Sequence, residues 1–151
     1  MQLFLRIPRV AAAFRSCVFA HDQQLYGSLP YFTHPLQVAE TLIDPTEDEL
    51  VAALLHDVVE DTALTLEHVR LLYGDNVCDM IALLTKDATL SYEDNILRIV
   101  HSRNMGATRV KWADNLVNMK NDKSHMTPDR RDKLNARYIK SFLVLSAVLG
   151  V

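Results

Sequence analysis

Leu54-Leu55-His56-Asp57-Val58-Val59-Glu60-Asp61-Thr62 decides how this chain of 151 residues is read. A His-Asp pair is followed at once by a Glu-Asp pair, so four metal- and proton-handling side chains crowd into one short stretch. On a helix each residue advances about 100°, so with His56 as origin Glu60 falls at about 40°, Asp57 at about 100° and Asp61 at about 140°. Ala53, near 60° on the same wheel, leaves room inside that arc for something to approach. Leu54, Leu55, Val58 and Val59 fill the opposite arc and give the segment a face to bury. Acids and a histidine on one stripe, backed by an apolar stripe, point to a metal hydrolase helix rather than a solvated charge run.

Outward from this stretch the chain reads as helical almost throughout. Thr46-Glu47-Asp48-Glu49 is a capping box that starts the helix carrying His56 to Asp61. Before it, a helix from about Arg9 to Leu25 leads into a loop with Gly27, Ser28 and Pro30. A second helix, opened by His34-Pro35 with proline in its first turn, then runs to about Ile43. After it, Thr65 caps a short helix that stops at Tyr73-Gly74, and another helix covers Asn76 to Thr85. Ser91 caps a helix ending near Asn104, Gly106 to about Lys120 forms the next, and Thr127-Pro128 opens the last, which reaches about Leu149. No stretch alternates with period two, so the expected fold is all-α: a bundle of about seven to eight helices without significant sheet.

Length and composition bound the function. One domain, residues 1–151, can bury a full core at this size without staples. Hydrophobic residues make up 49% and charged residues 23%, the net charge is −3, and no basic block occurs, which argues against nucleic acid as a partner. A small anionic substrate remains compatible, because a bound metal outweighs the global charge locally. Cys17 and Cys78 sit on apolar stretches outside any metal or redox spacing and read as buried thiols of a cytoplasmic protein. Met1–Ala20 loosely mimics an export signal, but Arg6, Pro8, Arg9 and Arg15 break its apolar run. The run from Phe142 to Val151 is too short to span a bilayer. It reads as the end of a core helix or as a contact in a homo-oligomer.

A hydrolase metal site draws ligands from several helices, and two further candidates stand out. His34 lies in Pro30-Tyr31-Phe32-Thr33-His34-Pro35, at a helix start beside an open loop; alone it could equally be an idle loop histidine. Lys111, Asp114 and Asn118 are spaced by three and four and share a face of an otherwise apolar helix with Val110, Trp112, Ala113, Leu116 and Val117. Polar groups there are costly unless paired or lining a site. The plain alternative is a solvent stripe with a Lys111–Asp114 ion pair.

Together these three segments, with Ala20-His21-Asp22-Gln23-Gln24, resemble the HD hydrolase domain of RelA/SpoT-type (p)ppGpp enzymes, in the right order over roughly residues 20 to 120. The Glu-Asp pair after the His-Asp pair carries the subfamily likeness, and Tyr92-Glu93-Asp94-Asn95-Ile96 and Arg137-Tyr138-Ile139-Lys140 look like small bacterial HD proteins. The resemblance implies one divalent metal held by His34, His56, Asp57 and Asp114, with Mn²⁺ favoured over Fe²⁺, Zn²⁺, Co²⁺ or Mg²⁺. Two imidazoles, two carboxylates and room for water suit six-coordinate Mn²⁺ or Fe²⁺ better than structural zinc. It further implies water activation for attack at phosphorus, with Glu60 and Asp61 handling the water and the leaving group. The expected substrate is then guanosine tetra- or pentaphosphate, broken at its 3′-pyrophosphate ester.

The departures fall around this core. The family usually carries an Arg-Lys pair before the loop histidine, where this chain has Leu25 and Tyr26. Asn115 stands for a usual Arg and Val117 for a usual His. Tyr26, Lys86, Lys111 and Asn118 remain as expected substrate contacts, Tyr26 by stacking on a base. His21 would brace the site or act as a plain buried histidine, while His68, His101 and His125 read as surface residues. Two other functions compete: a 5′-nucleotidase or other nucleotide phosphatase, separable by its orthophosphate product, and a non-catalytic nucleotide-binding protein.

Overall fold

The computed structural model describes residues 3–151, so the first two residues of the Met1–Ala20 stretch lie outside the described residues. After a short 3₁₀ turn, Leu3–Arg6, the chain forms α1 (Pro8–Ala20), a small antiparallel hairpin β1–β2 (Leu25–Tyr26 and Leu29–Pro30), α2 (Thr33–Thr41), α3 (Glu47–Leu55) and the single turn α4 (Val58–Asp61). Then follow α5 (Leu66–Tyr73), α6 (Asp75–Leu84), α7 (Tyr92–His101), α8 (Met105–Lys120) and α9 (Pro128–Leu149). The all-α reading holds. Its helix starts rest on the caps that the sequence offers: Thr46 Oγ1 accepts from Glu49 N at 3.2 Å while Glu49 Oε2 accepts from Thr46 N at 2.8 Å. Thr65 pairs in the same way with His68, and Ser91 Oγ accepts from Asp94 N.

Helix α3 is the hub. Every residue from Glu49 to Leu55 is buried, and the helix packs against α1, α2, α6 and α8. A helix apolar on all sides has no face for water and belongs at the centre. The cost of burying Glu49 is met by Arg109 of α8, whose Nη1 lies 3.1 Å from its carboxylate. The same guanidinium donates to the Ile43 carbonyl and so ties the end of α2 to α8. Gly106 lets α8 approach α6, since a Cβ there would meet Met80 Sδ at 2.6 Å. Trp112 stacks on Phe142 at 5.5 Å and donates to Ser146 Oγ at 2.9 Å, which seats α9 on α8. Of the Phe142–Val151 run, Leu145 and Ser146 are buried while Leu143 and Val148 are exposed.

Three expectations need correction. The first helix stops at Ala20 rather than near Leu25, because the chain turns at Gln23 with φ +62°. The loop that follows holds a hairpin, Leu25 opposite Pro30 and Tyr26 opposite Leu29. Gly27, at φ +63°, occupies the first of its two turn residues, where a two-residue hairpin asks for glycine. Strands of two residues are too short to show alternation in sequence. The third correction is the break between α3 and α4, which divides the helix expected to carry His56 to Asp61.

Candidate metal centre and its two flanking cavities

The break at His56-Asp57 has a local cause. His56 Nδ1 lies 2.8 Å from the Ala53 carbonyl, the acceptor that an unbroken helix would give to Asp57 N–H. Asp57 takes φ −100°, ψ −8°, the sparsely populated bridge region, and only one further helical turn follows. The ideal wheel is therefore distorted. Asp57 turns toward the protein interior, and the Glu60 and Asp61 side chains find partners in different places, as described below.

His34 from α2, His56 and Asp57 from the α3–α4 break, and Asp114 from α8 converge. His34 Nε2 lies 3.1 Å from Asp114 Oδ1 and 3.8 Å from Asp57 Oδ2. His56 Nε2 lies 3.1 Å from Asp57 Oδ2 and 3.7 Å from Asp114 Oδ1. His34, His56 and Asp57 form a group able to hold a metal ion, with their ligand atoms all within 4.8 Å of one another. Asp114 presents Oδ1 to both imidazoles while Oδ2 pairs with Lys111 Nζ at 2.8 Å.

The residues fit a cation. His56 Nδ1 is engaged by the Ala53 carbonyl, which leaves Nε2 facing the carboxylates, buried and without a hydrogen-bond partner. The electrostatics ask for positive charge at the same place. Burial pushes the His56 imidazolium down, yet the carboxylates of Asp57 and Asp114 outweigh it and lift its pKa to about 9. Burial pushes Asp57 up, and His56 outweighs it, holding Asp57 at about 2. For Asp114 burial is likewise overcome, first by Lys111, and the carboxyl sits well below the usual range. A proton on His56 supplies a charge that a divalent ion would supply better.

A shell of side chains holds these groups. Tyr31 OH donates to Asp57 Oδ2 at 2.7 Å and lies 3.4 Å from Asp61 Oδ2. The Tyr31 ring stacks on buried His21 at 4.4 Å, and His21 Nδ1 pairs with Gln24. Gln24 in turn donates to the Asp61 carbonyl at 3.0 Å. Asn118 Nδ2 donates to Asp114 Oδ1 at 2.6 Å and Asn118 Oδ1 accepts from Tyr26 OH at 3.0 Å. Tyr26 lays its ring on His34 at 4.5 Å. One face of Tyr26 is thus already covered by His34, and Asn118 is bound at both ends of its amide. Glu60 Oε2 accepts the Lys86 backbone N–H at 3.0 Å.

One cavity opens on the cluster, and a second lies at the hairpin, lined by none of the four ligand candidates. One, about 240 Å³, is lined by His56, Asp57, Glu60, Lys86, Lys111 and Arg137, with Tyr92 and Asn95 of α7. The other, about 520 Å³, is lined by Tyr26, Ser28, Gln37, Asn121, Asp122 and His125, with no lysine or arginine. All ten residues singled out from the sequence are therefore accounted for. The four ligand candidates come together, Glu60, Lys86 and Lys111 line one cavity, Tyr26 borders the other with Asn118 behind it, and Asp61 sits beside Tyr31. Sequence reasoning gave no role to Tyr31, Gln24, Tyr92 or Arg137. Tyr31 had a legible signal, a tyrosine three residues before the loop histidine. Asn115 is fully buried and joins three helices, accepting from Tyr92 OH at 3.1 Å and donating to Ser141 Oγ at 2.5 Å. It faces the helix packing rather than a cavity. Cys17 and Cys78 are free and buried, and His68, His101 and His125 are exposed.

The family model described as HD domain matches residues 11–151. The bifunctional (p)ppGpp synthase/hydrolase SpoT of Escherichia coli K12 is 30% identical over 97% of this chain and 22% of its own length. A probable guanosine-3′,5′-bis(diphosphate) 3′-pyrophosphohydrolase of Synechocystis is 28% identical over 91% of this chain and 20% of its own. The chain thus spans about a fifth of the length of these curated relatives. Among solved structures, a metazoan ortholog of SpoT that hydrolyses ppGpp superposes with a TM-score of 0.74 at 27% identity, covering 93% of each chain. A Listeria monocytogenes EGD-e protein superposes at 0.59 with 33% identity, covering 75% of this chain and 80% of that one.

Proposed function

The chain belongs to the HD domain family, and we propose that it is a metal-dependent phosphohydrolase that removes the 3′-pyrophosphate of guanosine-3′,5′-bis(diphosphate). The observation that carries this reading is the convergence of two imidazole nitrogens and two carboxylates beside a cavity walled by cations. His34, His56, Asp57 and Asp114 hold one divalent ion, Mn²⁺ by the mixed nitrogen and oxygen donor set. When bound, such an ion supplies Lewis acidity toward water and toward a phosphoryl group.

The protein's own groups do the rest. Glu60 and Asp61 orient a water and take its proton as its oxygen adds to the phosphorus. The bond from that phosphorus to the ribose 3′ oxygen breaks, the oxygen takes up a proton, and pyrophosphate leaves. Burial, then Asp57 and Glu60, raise Asp61 from its ordinary value, the direction that suits a proton carrier. Lys86 faces the phosphates, Lys111 lines the same cavity while paired with Asp114, and Tyr26 and Asn118 border the nucleoside. Residues 1–151 act as a single domain in a reducing cytoplasm, where Cys17 and Cys78 stay unpaired. No helix among the described residues is long and apolar enough to cross a membrane.

The test is a Mn²⁺-supported comparison of phosphorylated nucleotides with product identification. Pyrophosphate released from ppGpp, and abolished by chelation, supports the reading. Orthophosphate released from mononucleotides would replace it with the nucleotidase reading. Tight ppGpp binding without turnover would mark a binding protein.

A further inference from the structure

The two cavities differ in a way that orients a polyanion. The cavity at the hairpin is lined by no lysine or arginine, and His125 is its one ionisable base. The side under α7 and α9 offers three cations, Lys86, Lys111 and Arg137. Lys111 is committed to Asp114. Lys86 and Arg137 form no ion pair among the described residues, and both are exposed. Arg137 instead rests over the ring of Tyr92, its Cζ 5.0 Å from the centroid. Tyr92 is a fixed platform: its hydroxyl donates to buried Asn115 at 3.1 Å and lies 3.3 Å from Ser141 Oγ. An exposed guanidinium on an aromatic face is held in place but weakly, and a phosphate is a stronger partner for it.

We propose that Arg137, parked on Tyr92 with Lys86 beside the same cavity, forms a subsite for the distal phosphate of a diphosphate whose proximal phosphorus is attacked at the histidine–aspartate cluster. The inference rests on the phosphohydrolase reading above and deepens it by naming the ligand of the α7–α9 cavity. Acidic Asp57, Asp114 and Glu60 at the cluster would repel an anion on their own. A cation between the imidazoles relieves that repulsion for the proximal phosphate, and Arg137 supplies the complementary charge for the distal one. Arg137 therefore takes up the part of phosphate recognition that the hairpin lacks. It selects substrates carrying a diphosphate over those with a single phosphate.

The experiment measures binding of inorganic pyrophosphate and of orthophosphate to the Mn²⁺-loaded full chain by calorimetry at low salt, for wild type, Arg137→Ala and Arg137→Lys. Metal content and melting temperature serve as controls, and neither should move, because Arg137 is exposed and no ion pair or hydrogen bond joins its side chain to the four ligand candidates. Arg137→Ala should weaken pyrophosphate binding about ten- to a hundredfold, the loss expected for one charge-assisted contact. Orthophosphate affinity should change less, and Arg137→Lys should recover part of the loss, since a point charge replaces the planar fork. A structural role for the Arg137–Tyr92 pair would shift melting without this difference between the two anions. Pyrophosphate affinity unchanged in Arg137→Ala, or absent from wild type, overturns the subsite. If ppGpp is not hydrolysed while the pyrophosphate difference holds, the substrate reading fails and the subsite stands. If ppGpp is hydrolysed while Arg137→Ala binds pyrophosphate like wild type, the subsite fails and the substrate reading stands.

Discussion

The hairpin flank and the α7–α9 flank meet at the same four ligand candidates, yet they are built from different chemistry. The hairpin flank is aromatic and hydrogen-bonded: Tyr26 lies on His34, Tyr31 bonds Asp57, and Asn118 links Tyr26 to Asp114. The α7–α9 flank is cationic, with Lys86, Lys111 and Arg137 around its cavity. The two acids of the Glu-Asp pair divide between them. Glu60 lines the cationic cavity and takes the Lys86 N–H, while Asp61 sits against Tyr31 and, through its carbonyl, Gln24. The difference is one of chemistry: one flank ties the ligand candidates together by hydrogen bonds and ring stacking, and the other gathers cationic side chains beside them.

The largest effect comes from removing what both flanks share. His56→Ala deletes a candidate ligand atom buried at the centre, so the purified variant should carry well under one metal per chain and show no detectable turnover. Full metal occupancy by elemental analysis would remove His56 from the ligand set. The next effect separates the flanks. Glu60→Gln and Asp61→Asn should both keep the metal and lose about 10²–10⁴-fold in turnover, the usual contribution of general acid–base help. They should differ in pH profile. Burial and the neighbouring Asp57 and Glu60 raise Asp61 from its ordinary value, so its base form is lost at a higher pH than an unperturbed aspartate's, and the acid limb of the wild-type rate should follow it. Asp61→Asn should abolish that limb and Glu60→Gln should keep it. Identical profiles in the two variants would erase the division between flanks.

Tyr31→Phe probes the geometric role of the hairpin flank. It removes one hydroxyl that bonds Asp57 at 2.7 Å and leaves the ring on His21. A partner that orients a metal ligand is typically worth about ten- to a hundredfold in metal affinity or activity. The expected result is a metal affinity lowered within that range, read by titration against a chelating indicator, with turnover recovered at saturating Mn²⁺. Unchanged metal affinity would make Tyr31 a packing residue only.

Much of this was legible before the structure, and the gaps have physical reasons. Helix starts were readable because caps are local: Thr46, Thr65 and Ser91 bond within three residues of themselves. The stripe at His56 was readable as a site, but the helix break was not, since it comes from the His56 side chain competing for the Ala53 carbonyl. The joining of His34, His56, Asp57 and Asp114 needed the family resemblance, because no spacing within one helix relates residues on α2, the break and α8. Arg137 fell in a stretch resembling small bacterial HD proteins, yet the sequence attached no role to it. It is an exposed arginine on a long helix, and its position gains meaning only where α9 crosses Tyr92 of α7. Asn115 looked like a lost cation of the pocket and is a buried link between helices instead.

The smallest effect tests whether the hairpin flank can be made to behave like its counterpart. The family's usual basic pair falls at Leu25 and Tyr26, but the two positions are not equivalent here. Lys at position 26 would strip the ring from His34 and the hydroxyl from Asn118, damaging the geometry that flank provides. Leu25 is 64% exposed on the hairpin edge and touches none of the ligands, so Leu25→Arg adds charge without that damage. An exposed charge contact is weak, about 0.2–1 kcal/mol, so the gain should be about 1.4- to fivefold in the Michaelis constant for ppGpp. The gain should fade as salt rises, because exposed ion contacts are screened. A mononucleotide should gain less, and turnover at saturation should not move, since the added cation touches no reacting group. Combining Leu25→Arg with Arg137→Ala sharpens the comparison further. If the flanks hold different parts of the substrate, the two changes add independently. If Leu25→Arg fully restores what Arg137→Ala removes, both cations serve the same phosphate, and the division of labour between the flanks is wrong.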